Sequence, residues 1–512
     1  MKIKAVTVNR FRGYAEPVVV ELDDLSVLIG RNDIGKSTIL EALDVFFNEG
    51  KGCIKIDKED INKSCLARGE DQIEISVEFA ELPAEIVIDS SNRTTLVSEY
   101  LTTENGTLHI VKRYSPPGKE RVFIRASHPT AEGCLDLHQK KIAELRKTVE
   151  DHGFPCTDKT RSAELRKAIW DGQADLALSE CEIEIAKEDT KAIWDQIKAH
   201  MPLFTLFQSD RKNAESDDEV QDPMRVAVRE VLGDPAIRAK LREVADKVRE
   251  RLEDVSGRTL EKLRELNPQL AASLEPQIPD LDALKWPEVF KSVGISGENG
   301  IPINKRGSGV KRLVLISFFR AEAERRLAEA GNRHVVYAIE EPETSQHPEH
   351  QRGLTAALKA LATAEATQVM LTTHSPEIVK HLSFDCLRLV SHRPEERVSR
   401  VVPNELPYPS LNEVTFAAFG EATSEYHDEL YAHIESSGDL PAFRATRPLV
   451  NYVRLHRNGS TVAEQISSTD FIRHQIHHPE NLHNPRFSSA DLYDSILAMR
   501  AFIKAQRLAV VS

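Results

Sequence analysis

A glycine-rich loop near the start of the chain constrains its fold more than any other feature. Residues 30–38 read Gly-Arg-Asn-Asp-Ile-Gly-Lys-Ser-Thr and fit the pattern G-x-x-x-x-G-K-[ST]. The loop follows a strand predicted at 25–29 and precedes a helix predicted from 37 to about 48. In this setting the glycines let backbone N–H groups wrap a phosphate, and the helix N-terminus adds positive potential. The sequence therefore predicts an α/β core that binds a nucleotide.

The polar residues of this loop have separate predicted roles. Lys36 is expected to reach the β- and γ-phosphates of ATP, and the Ser37 hydroxyl is expected to bind Mg²⁺. The predicted cofactors are therefore ATP and Mg²⁺. The other candidate nucleotide-binding residues of the loop are Gly30, Asn32, Gly35 and Thr38.

Two further strand ends carry candidate catalytic residues. A buried strand predicted at 335–339 ends in Glu340 and Glu341, and a strand predicted at 368–372 leads to His374. In a nucleotide site Glu340 would bind Mg²⁺. Glu341 would act as the base or orient water beside the γ-phosphate, which His374 could sense. Outside such a site, the acidic pair is equally consistent with a helix cap, and a lone histidine is usually a packing residue.

The chain changes character along its length, which predicts four regions. Residues 1–125 read as strands and turns around one helix, and strand-and-helix character returns at 300–400. The intervening residues 126–299 interleave charged and apolar residues at helical period, so we predict a compact helical insertion there. Residues 401–512 are predicted to form a mostly α-helical C-terminal domain. The fold class is therefore α/β, with one nucleotide-binding core split by the insertion.

The predicted insertion contains a short repeated sequence and an apolar stripe. Ala-Glu-Leu-Arg-Lys occurs at 143–147 and again at 163–167, which we interpret as two similar helix starts. From Ile237 to Val255 the apolar residues are spaced by three and four, the pattern of an amphipathic or coiled-coil helix. A helix over 235–266 would reach only about 45 Å, which favours a compact insertion over a long arm.

Charge and composition exclude several classes of protein. The 512 residues include 81 acidic and 67 basic ones, for a formal charge of −14, which argues against coating duplex DNA through overall positive charge. Contact with nucleic acid is expected to be local or through a partner. The sequence has no run of eighteen apolar residues, so no membrane span is predicted. The six cysteines form no C-x-x-C pair, so they do not indicate a zinc site or a redox dithiol. Because the N-terminus also carries no apolar signal segment, we expect a cytoplasmic protein.

The combined motifs resemble the ABC-type AAA-family ATPase heads of the RecF, SMC and OLD group, over about 1–125 and 300–395. The opening Asn-Arg-Phe-Arg-Gly at 9–13 is similar to the adenine-side strand of that group. The run Glu-Glu-Pro-Glu at 340–343, followed by His-Pro at 347–348, is similar to its acidic strand and D-loop. The resemblance implies a split ABC-type P-loop ATPase head, in which Glu340 stands where most relatives have aspartate.

The resemblance also implies how subunits assemble. The segment Lys-Arg-Gly-Ser-Gly-Val-Lys-Arg at 305–312 stands at the position of the ABC signature, with a shorter glycine motif. Ser308 and Gly309 would then contact ATP held by the Lys36 loop of another subunit, so that hydrolysis requires a homodimer or a higher oligomer. Gln72 is the candidate for the glutamine-loop residue of such heads, with a plain surface residue as the alternative.

The C-terminal region offers a candidate nuclease site. OLD-type relatives carry a nuclease that needs a D-x-D pair to hold metal, and no D-x-D follows His374, so an OLD-type DNase is not expected. Arg473 and His478 instead fit the spacing R-x4-6-H of HEPN ribonucleases, with His474 as a further polar residue. In that chemistry the histidine moves a proton and the arginine stabilises charge at phosphorus without a metal. The alternatives are a His474–His478 metal pair on one helix face and a structural or partner-docking domain.

Three functions are compatible with these motifs. The resemblance extends to the ATPases of Septu-type and retron-associated anti-phage systems, which implies a regulatory ATPase that controls a partner nuclease. A second hypothesis is a nucleotide-gated, metal-independent HEPN-type ribonuclease within this chain. A third is a RecF-like DNA-repair ATPase, which would need a local basic surface, for example around 211–212 or 305–306.

Overall fold

The computed structural model describes the chain in separate stretches. These are residues 1–49, 52–89, 92–116, 120–185, 191–208, 230–247, 250, 334–343, 348–391, 397–401, 406–408, 410–456 and 459–511. The predicted signature residues Ser308 and Gly309 and the candidate basic patches lie outside the described residues. Within the predicted apolar stripe, residues 235–247 are helical.

Among the described residues, ten of the strands lie in the first 207 residues, and five helices and two strands lie in the last hundred or so. The strands are β1 (Lys2–Asn9), β2 (Val18–Glu21), β3 (Leu25–Ile29), β4 (Ile73–Ala80), β5 (Ile86–Asp89), β6 (Asn92–Thr94), β7 (Leu108–Tyr114), β8 (Arg121–Pro129), β9 (Leu178–Glu184), β10 (Leu203–Phe207), β11 (Val335–Glu340), β12 (Thr367–Thr373), β13 (Leu387–Val390), β14 (Val398–Arg400), β15 (Leu449–Leu455) and β16 (Thr461–Ser467). The helices are α1 (Lys36–Asn48), α2 (Lys63–Ala67), α3 (Ile142–His152), α4 (Ser162–Asp171), α5 (Lys191–His200), α6 (Pro348–Ala362), α7 (Pro376–Val379), α8 (Leu411–Phe419), α9 (Ser424–Ser436), α10 (Leu440–Ala445), α11 (Ser468–His477) and α12 (Ser489–Val511).

An antiparallel sheet of six strands forms one layer of the molecule. Its strand order is β2-β1-β4-β7-β8-β9. In β4 the buried residues Ile73, Ile75, Val77 and Phe79 alternate with more exposed or polar ones. This alternation places one face of the sheet against the core and the other toward solvent.

A second six-stranded sheet carries the loop of residues 30–38. Its order is β10-β11-β12-β3-β13-β14, and every pair except β13–β14 is parallel. Both faces of this sheet are covered, which explains why β3, β10 and β11 are mostly apolar and why every residue of β12 is buried. One row of side chains packs with α1 and the first sheet, and the opposite row packs with α6. The first row contains Leu28, Val336, Ala338 and Met370, and the second contains Val27, Tyr337, Ile339 and Leu371.

Helix α1 lies at the centre of the larger core. It begins at Lys36, directly after the loop, and its apolar side chains Ile39, Leu40, Leu43 and Phe46 are completely buried. They share one apolar cluster with strands of both sheets. The position of the loop is therefore fixed by a helix that both sheets hold in place.

The predicted boundaries of the helical insertion need correction. The boundary at residue 125 falls inside β8, and the span 126–299 contributes β9 to the first sheet and β10 to the second. The sequence of β9 mixes charged and apolar residues because Glu182 and Glu184 pair with arginines of β7 and β8. That mixture resembles a helical pattern. The repeats at 143–147 and 163–167 do lie at the starts of two helices, α3 and α4.

The C-terminal residues form a core of their own. Its buried side chains come from α8 to α12 and include Tyr426, Leu430, Ile472 and Met499. The structure adds a hairpin of β15 and β16 to the predicted helices. Only Tyr452 and Ser467 of this hairpin are buried, so its sequence lacks the alternation of a half-buried sheet. Within the described ranges, a helix with the length and apolar character of a transmembrane segment is not found.

A buried ion pair ties α4 to the segment between β6 and β7. The Arg166 guanidinium donates two hydrogen bonds to Glu99, of 2.8 and 3.0 Å, with 5% and 2% of the two side chains exposed. His138 Nε2 lies 3.2 Å from the same carboxylate. Burial acts to raise the pKa of Glu99, but the His138 hydrogen bond and the Arg166 charge lower it to about 2. The carboxylate is thus charged in the core and depends on its partners.

Replacing Arg166 by methionine should strongly destabilise this part of the chain. The variant leaves the Glu99 carboxylate buried without its ion partner, which costs about 3–5 kcal/mol of unfolding free energy. Arg146 occupies the same place in the other Ala-Glu-Leu-Arg-Lys sequence and donates hydrogen bonds of 3.0 and 3.1 Å to the Lys159 carbonyl. Arg146→Met should therefore cost about 1 kcal/mol. Urea unfolding compares the two variants, and equal losses would contradict the role of the buried pair.

Candidate functional site

The candidate nucleotide-binding and catalytic residues meet at the carboxyl edge of the parallel sheet. Thr372 of β12 pairs with Leu28 of β3 on one side and with Glu340 of β11 on the other. The three strands therefore end at the same level, and parallel strands present their carboxyl ends to one edge. The structure brings together the loop of residues 30–38, the acidic pair at the end of β11, and His374 after β12.

The loop turns tightly into helix α1. Gly30 has a φ of 153°, and a β-carbon there would lie 2.7 Å from the Val390 carbonyl oxygen, so the position requires glycine. Asn32 is exposed, and Ser37 and Thr38 are half-buried in the first turn of α1. A glycine-rich turn that leads into a helix N-terminus is the arrangement that binds phosphate groups.

Lys36 closes the loop from the inside. Its Nζ donates hydrogen bonds of 2.9 Å to the Gly30 carbonyl and 2.8 Å to the Arg31 carbonyl. Burial lowers the pKa of Lys36, and nearby carboxylates act in the opposite direction. These carboxylates are those of Glu341, Glu343, Asp33 and Glu340. The ammonium thus lies within the electrostatic reach of the acidic strand end.

Glu341 is held in an uncommon backbone conformation. Its φ is 38°, in the left-handed region that non-glycine residues rarely adopt. Its N–H donates to the carbonyl and the hydroxyl oxygens of Thr372, both at 3.1 Å. Such a conformation costs about 1–3 kcal/mol and persists where the surrounding structure enforces it, often at functional sites.

Glu343 is a site residue to which the sequence motifs assign no role. Its Oε1 accepts hydrogen bonds from the Thr373 hydroxyl at 2.7 Å and from the His374 N–H at 2.9 Å. The His374 Nδ1 lies 3.4 Å from this oxygen and 3.5 Å from Glu341 Oε2. Burial raises the pKa of Glu343, against its hydrogen bonds. The only sequence signal was its place as the third acid of the run at 340–343.

Two residues outside the motifs support the loop. The Tyr14 hydroxyl donates to the Gly35 carbonyl at 3.0 Å, and burial raises the pKa of Tyr14 to about 12. Arg397 lies 5.4 Å from the Tyr14 ring centroid and donates to the Ile34 carbonyl at 3.4 Å. Tyr14 follows the run at 9–13, but no local signal identifies Arg397, which is 363 residues away from Ile34. Gln72, the glutamine-loop candidate, donates to the Ser115 hydroxyl at 3.1 Å.

The side chains of the site fit a nucleotide with bound Mg²⁺. The Ser37 hydroxyl and the Glu340 carboxylate are the hard oxygen donors that Mg²⁺ prefers, and Lys36 is the cation of a phosphate-binding turn. Among the described residues there is no cluster of three or more His, Cys, Asp or Glu able to hold a metal. Mg²⁺ commonly binds through one or two protein oxygens together with the phosphates of a substrate, which this donor set permits.

Arg473, the first candidate ribonuclease residue, packs against helix α9. Its guanidinium lies 3.9 Å from the Tyr431 ring centroid, and its Nη1 lies 3.4 Å from Glu435 Oε2. The Tyr431 hydroxyl in turn donates to Asp470 at 2.6 Å. These contacts give Arg473 a packing role in the C-terminal core.

The two candidate histidines contact other groups. The His474 ring stacks on Tyr452 with centroids 5.1 Å apart, and burial lowers the pKa of His474. His478 is exposed at the end of α11, with its Nδ1 3.2 Å from Glu480 Oε1. The ring centroids of the two histidines are 6.3 Å apart. The ribonuclease assignment of these residues stays a prediction.

The fold and the site define a P-loop ATPase core, and comparison with known proteins gives its family. Residues 1–379 match the family described as an AAA ATPase domain, and the chain belongs to that family. The predicted α/β ATPase core is confirmed at the level of this family.

Individual relatives are more distant. An OLD nuclease of Thermus scotoductus is 33% identical over 148 residues, which cover 28% of this chain and 27% of that protein. The match thus spans about a quarter of the OLD nuclease. An SMC head bound to the C-winged helix domain of ScpA aligns with a TM-score of 0.37 and 11% identity, covering 78% of this chain and 97% of that one. The SMC head domain from Thermotoga maritima gives 0.31 and 10%, covering 79% and 100%.

Replacing Lys36 by alanine should weaken ATP binding. Hydrogen bonds to charged groups contribute about 1.5–3 kcal/mol, so the loss of the ammonium should lower ATP affinity about 10- to 100-fold. Isothermal titration calorimetry with Mg²⁺ and ATP measures the change. Lys4→Ala is the control, because Lys4 is a half-exposed lysine that pairs with Glu78 at 3.1 Å. Unchanged affinity in Lys36→Ala would contradict the phosphate-binding role.

Proposed function

We propose that this chain is a Mg²⁺-dependent ATP hydrolase that dimerises around ATP. The observation that carries the proposal is the meeting of the Lys36 loop, the acidic pair at the end of β11 and His374 at one sheet edge. Membership of the AAA ATPase family supports it.

Each residue at this edge has a chemical role in the proposal. Lys36 binds the β- and γ-phosphates. Ser37 and Glu340 would hold Mg²⁺, which neutralises charge on the phosphate oxygens when bound. Glu341 orients the attacking water and takes up its proton. His374, next to Glu341, contributes a hydrogen-bond donor toward the γ-phosphate.

Assembly completes the proposed site. By resemblance to ABC-type heads, Ser308 and Gly309 of one subunit contact the ATP held by the Lys36 loop of another. A site shared in this way makes hydrolysis depend on dimerisation, and a homodimer is the smallest assembly that provides two such sites. ATP binding then closes the dimer and hydrolysis opens it, which is the behaviour of a switch.

Replacing Glu341 by glutamine should separate binding from hydrolysis. The amide keeps the size of the side chain but cannot accept the proton of water, so hydrolysis should fall about 10²- to 10⁴-fold. ATP affinity should remain close to that of the wild type. Phosphate release measures hydrolysis, and light scattering after gel filtration should show a dimer trapped by ATP.

Glu377→Gln is the matched control for this variant. Glu377 follows β12 on helix α7 and pairs with Arg352 at 3.4 Å, and the proposal assigns it no part in the chemistry. It should hydrolyse ATP at the wild-type rate. Hydrolysis that persists in Glu341→Gln would overturn the role of that residue, and a monomer with ATP bound would overturn the shared site.

We further propose that ATP turnover controls a partner nuclease in cytoplasmic bacterial defence against phages. The local relationship to an OLD nuclease supports a link to nucleases. Resemblance to the Septu-type and retron-associated ATPases, where a separate nuclease is the effector, favours an effector on another chain. The formal charge of −14 also favours contact with nucleic acid through that partner.

Phage infection of bacteria that carry the gene with its native neighbours tests this role. Lys36→Ala and Glu341→Gln should abolish protection, whereas Arg473→Ala/His478→Ala should retain it, as counted by plaques. The exposed His478 is also replaced alone, since Arg473→Ala removes packing on Tyr431. The purified chain should not cleave RNA. If the purified chain cleaves RNA, and both His478→Ala and Arg473→Ala/His478→Ala lose that cleavage, the ribonuclease alternative would be established instead.

A further inference from the structure

One side chain joins the nucleotide loop to the end of helix α8. A β-carbon at Gly420 would lie 2.5 Å from Arg31 Nη2 and 3.1 Å from Arg31 Cζ, so the guanidinium occupies the space beside this glycine. Gly420 has a φ of 70° and ends α8, and its N–H donates to the Phe416 carbonyl at 2.9 Å. A cation at the C-terminal end of a helix is also favoured by the helix dipole.

The main chain of Arg31 contacts the lysine of the loop. Its carbonyl accepts the 2.8 Å hydrogen bond from Lys36 Nζ, next to the 2.9 Å bond to Gly30. A Lys36 ammonium that turns toward phosphate oxygens gives up these two carbonyls. Arg31 therefore contacts Lys36 through its main chain and lies against Gly420, at the end of α8, with its side chain.

Helix α8 packs in two of the hydrophobic cores, the one around β11, β12 and α6 and the C-terminal one. Val414 and Ala418 lie four residues apart and pack in the core around β11, β12 and α6. Phe416 packs in the C-terminal core, where its ring centroid lies 5.4 Å from that of Tyr426 and 5.3 Å from that of Tyr493. A displacement of α8 relative to one core therefore changes its packing against the other.

The start of α8 is fastened to the C-terminal helices. Glu429 of α9 accepts hydrogen bonds from the Ser410 hydroxyl at 2.7 Å and the Asn412 amide at 3.0 Å. Glu413 lies 3.9 Å from Arg500 of α12. The C-terminal core thus holds one end of a nine-residue helix whose other end touches the nucleotide loop.

We propose that α8 couples the state of the Lys36 loop to the C-terminal core, with Arg31 as the coupling contact. The inference rests on the proposed nucleotide site and adds its regulation. When Lys36 releases the Arg31 carbonyl to bind phosphates, the Arg31 side chain changes its contact at Gly420, and α8 shifts against α9 and α12. Coupling between two sites is reciprocal. A partner that binds the C-terminal core therefore changes the affinity for ATP by the same factor by which ATP changes the affinity for the partner.

Hydrogen exchange of the full chain, with and without Mg²⁺ and a non-hydrolysable ATP analogue, tests this coupling. In the wild type, saturating analogue should change exchange in α1 and, by at least about fivefold, in α9 and α12. The affinity of Arg31→Ala for the analogue is first measured in a separate titration, so that this variant is also saturated. In Arg31→Ala the change in hydrogen exchange should then persist in α1 and be lost in α9 and α12. Gly420→Ala, whose β-carbon displaces the guanidinium, should have the same effect.

Gly438→Ala is the matched control for the glycine variant. Gly438 also follows a helix in the left-handed region, with a φ of 80°, but a β-carbon there would meet nothing within 4 Å. It should carry similar backbone strain and keep the response of α9 and α12. Loss of that response in Gly438→Ala, or a full response in Arg31→Ala, would overturn the coupling. So would wild-type protein that binds the analogue without any response in α9 and α12, whereas wild-type protein that does not bind it would overturn the nucleotide site itself.

Discussion

Burial of the parallel strands on both faces is the constraint on which the arrangement of the site depends. One face of β3, β11 and β12 packs against α1 and the antiparallel sheet, and the other packs against α6. A charged side chain on these strands therefore lies only at their end, where the chain leaves the sheet, as Glu340 does at the end of β11. Glu340, Glu341 and His374 lie at those ends, beside the Lys36 loop. The apolar covering of the sheet thus concentrates the polar chemistry at a single edge.

The balance of charge at this edge gives the metal its importance in the proposed reaction. Lys36 is one buried ammonium within reach of four carboxylates. A triphosphate adds further negative charge to a group of residues that is already acidic. Oriented N–H groups of the loop and the helix dipole offset part of this charge, and a divalent cation offsets more than any side chain can. Glu343 is buried beside these groups, and its carboxyl accepts hydrogen bonds from the Thr373 hydroxyl and the His374 N–H, which position the His374 backbone.

Local patterns in the sequence predict the parts of the molecule in which neighbours along the chain determine the structure. The Lys36 loop and the strands before Glu340 and His374 belong to this group, since each is a short apolar run that ends in a polar turn. Contacts between distant segments were not predictable, as Arg397 beside Tyr14 shows. The prediction for the residues of β9 was wrong for a different reason. Its glutamates are satisfied by arginines of β7 and β8, which makes a strand look like a solvated helix when it is read alone.

The split of the ATPase core along the chain explains why a C-terminal helix lies against its loop. The loop is formed by residues 30–38, whereas the strand that follows His374 and the helix α8 come from the end of the same core. Close-packed interfaces of this kind shift between discrete arrangements rather than deforming gradually. Helix α8 packs in the core around β11, β12 and α6 and in the C-terminal core, and it contacts the loop through Arg31. In the proposed coupling it therefore transmits a change in one of these cores to the other as a rigid-body movement. Its position makes the C-terminal core a natural place for a partner to sense the nucleotide, without any requirement that this acidic chain bind nucleic acid itself.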